Sequence, residues 1–142
     1  MAYPYDDEDR RAALTQGLLA AGLAALGATL DLAQKHGRYL EVTIFADTKS
    51  FGLADADYRR IADQVGAICV AHVACGPVEI ANEVWPLHET QADALGDLAF
   101  LRSLRETVRK HGDIPVSLGS THADQDESDR MRDGDYLTIH GS

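Results

Sequence analysis

The strongest constraint on the fold is that the chain keeps switching between two hydrophobic periods. Leu14, Leu18, Leu23, Leu26 and Leu30 recur at helical spacing behind the acidic run Asp6-Asp7-Glu8-Asp9, which suits a helix N-terminus. Gly17, Gly22 and Gly27 each weaken that helix by about 1 kcal/mol relative to Ala, so close packing is expected to compensate. Gly37 marks its end, and residues 39–45, ending Val42-Thr43-Ile44-Phe45, read as a strand. The spacing of Tyr58, Ile61, Val65, Ile68 and Cys69 predicts a second helix over residues 55–74. Gly76-Pro77 is expected to end it and lead into a strand over 78–82. Leu95, Leu98, Leu101, Leu104 and Val108 predict a third helix over 89–111, closed by Gly112-Asp113. Strands over 114–118 and 136–140 follow, with a polar, acidic segment between them.

The expected order is αβαβαβ(α)β in one domain spanning residues 1–142. Strands joined through helices pair in parallel with right-handed connections, and their apolar runs suggest burial on both faces. The expected class is therefore α/β, with four parallel strands and intervening helices.

In such a unit, chemistry gathers just past the C-terminal end of each strand. The four expected tips are Ala46-Asp47-Thr48-Lys49, Asn82-Glu83-Val84-Trp85, Gly119-Ser120-Thr121-His122 and His140-Gly141-Ser142. All carry polar or ionisable groups, whereas the strand bodies are expected to carry almost none, and this favours a ligand site at the tips. The second tip is the richest. A β-branched run ends there in an amide and a carboxylic acid, and a tryptophan follows.

Charge narrows the ligand class. With 23 acidic against 13 basic side chains, the formal net charge is -10. That field repels phosphate backbones and anionic lipid, so no nucleic-acid or membrane partner is expected, while neutral sugars are unaffected. The most apolar helical stretch, residues 18–32, is shorter than the ~20 residues a membrane span needs. No signal peptide is visible at the start, so a soluble protein, cytoplasmic by default, is expected.

Cys69 and Cys75 lack Cys-x-x-Cys spacing and a nearby His pair, and read as two buried thiols. The run Asp124-Gln125-Asp126-Glu127-Ser128-Asp129 has Asp129 where a calcium loop needs Gly, and Asp135 where it needs the bidentate Glu. There is no Gly-rich phosphate loop, no Gly-x-Ser-x-Gly elbow and no His-Glu-x-x-His. Neither a cofactor nor a metal is expected.

The run Glu79-Ile80-Ala81-Asn82-Glu83-Val84-Trp85 resembles the fourth strand of the cellulase-like retaining glycoside hydrolases, which are built on a (β/α)8 barrel. Val116-Ser117-Leu118-Gly119-Ser120 is similar to that family's fifth strand, and Tyr136-Leu137-Thr138-Ile139-His140 to its sixth. Residues 39–49 would be the third. The resemblance implies a half-barrel acting on carbohydrate, with Glu83 as general acid/base and Asn82 on the sugar 2-hydroxyl. It also implies His140 in the subsite where cleavage occurs and Trp85 lining the cleft. Asp47 is a further candidate for substrate binding; the competing reading pairs it locally with Lys49.

Glu83 would need a raised pKa and a second carboxylate ~5–5.5 Å away. The family's nucleophile lies on the seventh strand, and a full barrel takes about 250 residues. The sequence thus reads as an internal piece of a barrel, inactive alone, with exposed sheet edges that invite self-association as a C2 dimer. From a different class comes a small α/β binding module, with an open sheet and no convergence of Asn82, Glu83 and His140. In that reading Glu83 caps the following segment and Asn82 is an ordinary turn former.

Overall fold

A computed structural model describes residues 8–45, 53–81, 97–119 and 134–136, with side chains from residue 16 onward. The elements are α1 (Glu8–Lys35), β1 (Leu40–Phe45), α2 (Asp55–Ala71), β2 (Cys75–Ala81), α3 (Leu98–Arg109) and β3 (Val116–Ser117). The three strands pair in parallel in the order β1-β2-β3. The class is α/β as expected, but the sheet among the described residues has three strands rather than four and is open, not a closed barrel. The expected fourth strand, apart from Tyr136, lies outside the described residues.

Both crossover helices cover one side of the sheet. Helix α2 packs on β1 and β2, α3 packs on β2 and β3, and the two helices pack on each other. Beneath them, Val42, Val78 and Val116 are neighbours in register, and Ile80 and Leu118 continue the apolar surface. Tyr58, Ala62, Val65 and Cys69 of α2 and Leu101, Leu104 and Val108 of α3 fill the space above. Gly66 lets the helices approach until its missing Cβ would lie 3.0 Å from Val108 Cα. The opposite face carries a polar row. Thr43, Glu79 and Ser117 are neighbours in register, with Glu41 two residues before Thr43 on β1. Burial on both faces holds at the sheet centre, where Val78, Glu79, Ile80 and Ala81 are all buried, but the second face is not purely apolar, since it includes the buried Glu79 and Ser117.

Two element boundaries differ from the expected ones because of proline. Gly76 and Pro77 lie inside β2, not ahead of it. From Leu40 to Val42, β1 advances two residues while β2 advances three, from Cys75 to Val78. The extra residue is a bulge, which takes Pro77 out of the ladder where its missing N–H would leave a gap. Likewise β3 begins only after Pro115, whose carbonyl still accepts from Val78 N–H at 2.9 Å. Helix α2 stops at Ala71, three residues early, where His72 turns extended. Helix α3 starts at Leu98, capped by Asp97, whose side chain accepts from Ala99 N–H at 2.9 Å; residues 89–96 lie outside the described residues.

Helix α1 departs furthest from expectation. Its Gln16–Lys35 stretch has 20 residues and a mean hydropathy of 1.4, so by length and composition it is long and apolar enough to cross a membrane; the bound of residues 18–32 was too short. Among the described residues it is anchored from its middle onward, where Leu23 and Leu26 pack partly buried against the core. Leu30 and Ala33 are buried, and Asp31 bonds His72 Nε2 at 2.9 Å. Leu18 and Leu32 stay exposed. The close packing expected around Gly17, Gly22 and Gly27 is not found, since a Cβ there would meet nothing within 4 Å.

Candidate functional site

Parallel pairing brings the C-terminal ends of the three strands to one edge of the sheet. Phe45 and Ala81 are partners in register, so β1 and β2 end level. Gly119, just past β3, sits so close to β2 that a Cβ on it would lie 1.6 Å from the Ala81 carbonyl oxygen. Its φ of 86° adds a second reason for glycine. Three of the expected tips therefore start from neighbouring points. Asp47 is two residues past Phe45, Asn82 follows Ala81, and Ser120 follows Gly119.

Every candidate residue singled out from sequence lies outside the described residues: Asp47, Asn82, Glu83, Trp85 and His140. So do Lys49 and His122.

The structure adds polar residues within the strand bodies, away from the tips. Glu79 is 2% exposed, and Thr43 donates its hydroxyl to Glu79 Oε2 at 2.9 Å. Next to it Ser117 is buried, its hydroxyl oxygen accepting from Gly119 N–H at 3.2 Å. Tyr136 donates to Glu41 Oε1 at 2.7 Å. Burial, first, and then the Glu41 bond and the nearby Glu79 charge push the Tyr136 phenol well above its usual range. The strand bodies are therefore not devoid of polar groups. The signal was present in Glu41-Val42-Thr43, Val78-Glu79-Ile80 and Val116-Ser117-Leu118, where polar and apolar residues alternate.

Asp135 closes the outer edge of β3. Its N–H donates to the Val116 carbonyl at 2.9 Å, and its Oδ2 accepts from Val116 N–H at 2.9 Å. Arg105 and Arg109 of α3 reach Oδ1 at 2.8 and 3.2 Å. Burial opposes the charge on this carboxyl, but the Val116 N–H and the two guanidiniums outweigh it and hold the pKa below the ordinary value. A depressed carboxylate contributes stability above its unfolded pKa of about 3.9 and loses it as pH falls through the folded value. Asp135→Asn is expected to cost about 1 kcal/mol at pH 7 once solvent screening of this exposed residue is counted, with the difference from the parent shrinking as pH falls below about 3.9. Urea midpoints across that range provide the check.

The sheet thus carries a polar row at Thr43, Glu79 and Ser117 and a locked strand edge at Val116. Among the described residues, no group of three or more His, Cys, Asp or Glu is placed to hold a metal ion.

No family model, curated protein or solved structure matches this chain.

Two grooves lie at the other end of the strands. One, of about 370 Å³, is lined by Cys69, His72, Cys75, Pro77 and Asp113 among others. A smaller one, of about 110 Å³, lies between Gln34, Arg38, Tyr39 and Val73.

Proposed function

We propose that these residues form part of a (β/α)8-type barrel of a cellulase-like retaining β-glycosidase, with Glu83 as its general acid/base. One observation carries the reading. The strands run parallel in sequence order with both crossover helices on a single side, the winding a β/α barrel requires. The opposite face then corresponds to a barrel interior. Glu79, Thr43 and Ser117 would form one of its layers, and β2 leads along that interior directly into Asn82-Glu83.

In this reading Glu83 gives its proton to the leaving glycosidic oxygen and later takes one from water. Asn82 bonds the 2-hydroxyl as positive charge develops at the anomeric carbon. His140 contacts the sugar at the cleavage point, Trp85 offers a stacking surface, and Asp47 adds a polar contact. The nucleophile belongs to a strand of the family pattern that these 142 residues do not supply, so turnover by this chain alone is not expected. The bare face of α1 would be covered by a neighbouring barrel helix rather than by lipid. Self-association would pair the outer edge of β1, which has no strand partner among the described residues.

A second reading, a small non-catalytic α/β binding module, is favoured by the open three-stranded sheet. The two separate on sugar chemistry. Under the glycosidase reading, a β-1,4-linked glucose oligomer binds the parent chain, and Glu83→Gln weakens that binding by no more than about threefold while Asn82→Ala weakens it by about tenfold or more. Absence of saturable binding at millimolar oligomer would leave the binding-module reading in place.

A further inference from the structure

We propose that Cys69 and Cys75 are an oxidisable pair, closed into an intramolecular disulfide by a hydroperoxide that enters the groove at the N-terminal end of the sheet. The pair is built by the backbone. Helix α2 ends at Ala71, His72 turns extended, and Cys75 N–H bonds the His72 carbonyl at 3.0 Å. That turn brings the first residue of β2 back toward the last turn of α2, so that Cys75 packs on the core cluster to which Cys69 belongs. Both line the groove of about 370 Å³. Their accessibility differs: Cys69 is buried in the core and Cys75 is half-buried.

This asymmetry assigns the roles. The neighbouring Cys69 holds the Cys75 thiol below its ordinary pKa, against the opposing effect of burial. Cys75 and burial push the Cys69 thiol up. Cys69 also sits in the last turn of α2, where the helix dipole disfavours a thiolate. Cys75 is therefore the nucleophile. Its sulfur attacks the terminal peroxide oxygen and the O–O bond breaks. The Cys75 proton goes to the departing alkoxide, leaving a sulfenic acid and an alcohol. The Cys69 sulfur then attacks the Cys75 sulfur, the S–O bond breaks, and water leaves with the Cys69 proton. Two thiols and one hydroperoxide yield one disulfide, one alcohol and one water.

The test treats the full 142-residue chain with excess hydrogen peroxide and counts thiols after denaturation. The expected result is a fall from two titratable thiols to none, a monomer lighter by two hydrogen atoms, and recovery of both thiols with dithiothreitol. In Cys69→Ser the sulfenic acid at Cys75 has no resolving partner and is trapped by dimedone. In Cys75→Ser the remaining thiol reacts at least about tenfold more slowly. Two thiols surviving peroxide, dimedone labelling at Cys69 instead, or a disulfide found only between chains would each overturn the proposal.

Discussion

Replacing Gly119 with alanine is expected to be among the most damaging single changes in this chain. A Cβ at that position would lie 1.6 Å from the Ala81 carbonyl oxygen and 2.8 Å from its carbon, and both are backbone atoms that no rotamer change can move. The φ of 86° adds a left-handed penalty. Left-handed backbone costs roughly 1–2 kcal/mol and forced overpacking about 1–3, so a loss on the order of 3 kcal/mol is expected. A single domain has only about 5–15 kcal/mol to lose. The urea midpoint should fall accordingly, and the damage should centre on the β2–β3 contact from which the second and third tips emerge. Gly22→Ala is the control. Its Cβ meets nothing within 4 Å, and helix propensity alone predicts a gain of up to about 1 kcal/mol. An unchanged midpoint in Gly119→Ala would mean that the strand ends do not meet as described.

Tyr58→Ala should cost about as much or more, for a different reason. Tyr58 is fully buried, with Phe45 at the end of β1 edge-on at 5.1 Å and Phe100 of α3 edge-on at 6.1 Å. One ring thus joins a strand end to both crossover helices. Truncating a buried aromatic costs about 3–5 kcal/mol through lost burial and the cavity left behind. Tyr58→Phe keeps the ring contacts and should lose much less. Thermal unfolding of the three proteins gives the order. If Tyr58→Ala melted close to the parent, the aromatic junction would not support the fold.

Much of the architecture was legible because hydrophobic period reports which side of an element is covered. The Leu101, Leu104 and Val108 spacing set the buried face of α3, and Tyr58, Val65 and Cys69 set that of α2. Parallel pairing followed from the alternation of strands and helices. Boundaries were misread where Pro77 and Pro115 stand, because a proline marks a break in the ladder without saying whether the strand resumes beyond it. The bulge at Gly76-Pro77 is a tertiary feature, visible only in the register of Leu40 and Val42 against Cys75 and Val78.

The site divides in the same way. Strand ends were legible as places where apolar runs stop, and Phe45, Ala81 and Gly119 gather where parallel pairing requires. The buried Glu79–Thr43 bond joins residues 36 apart in the chain, and the alternation within each strand shows a polar position without showing its partner. The role of Asp135 could not be read either. Its partners Val116, Arg105 and Arg109 lie 19, 30 and 26 residues away, and no local pattern encodes such contacts.

Under the proposed function, Asn82, Glu83 and His140 meet at one end of a barrel-type sheet around a sugar. An experimental structure of the 142-residue chain with a β-1,4-linked glucose oligomer tests this most directly. The expected result is the Glu83 carboxyl, Asn82 amide and His140 imidazole within about 10 Å of one another, facing the same sugar ring. Side chains farther apart than that, or on opposite edges of the sheet, would contradict it.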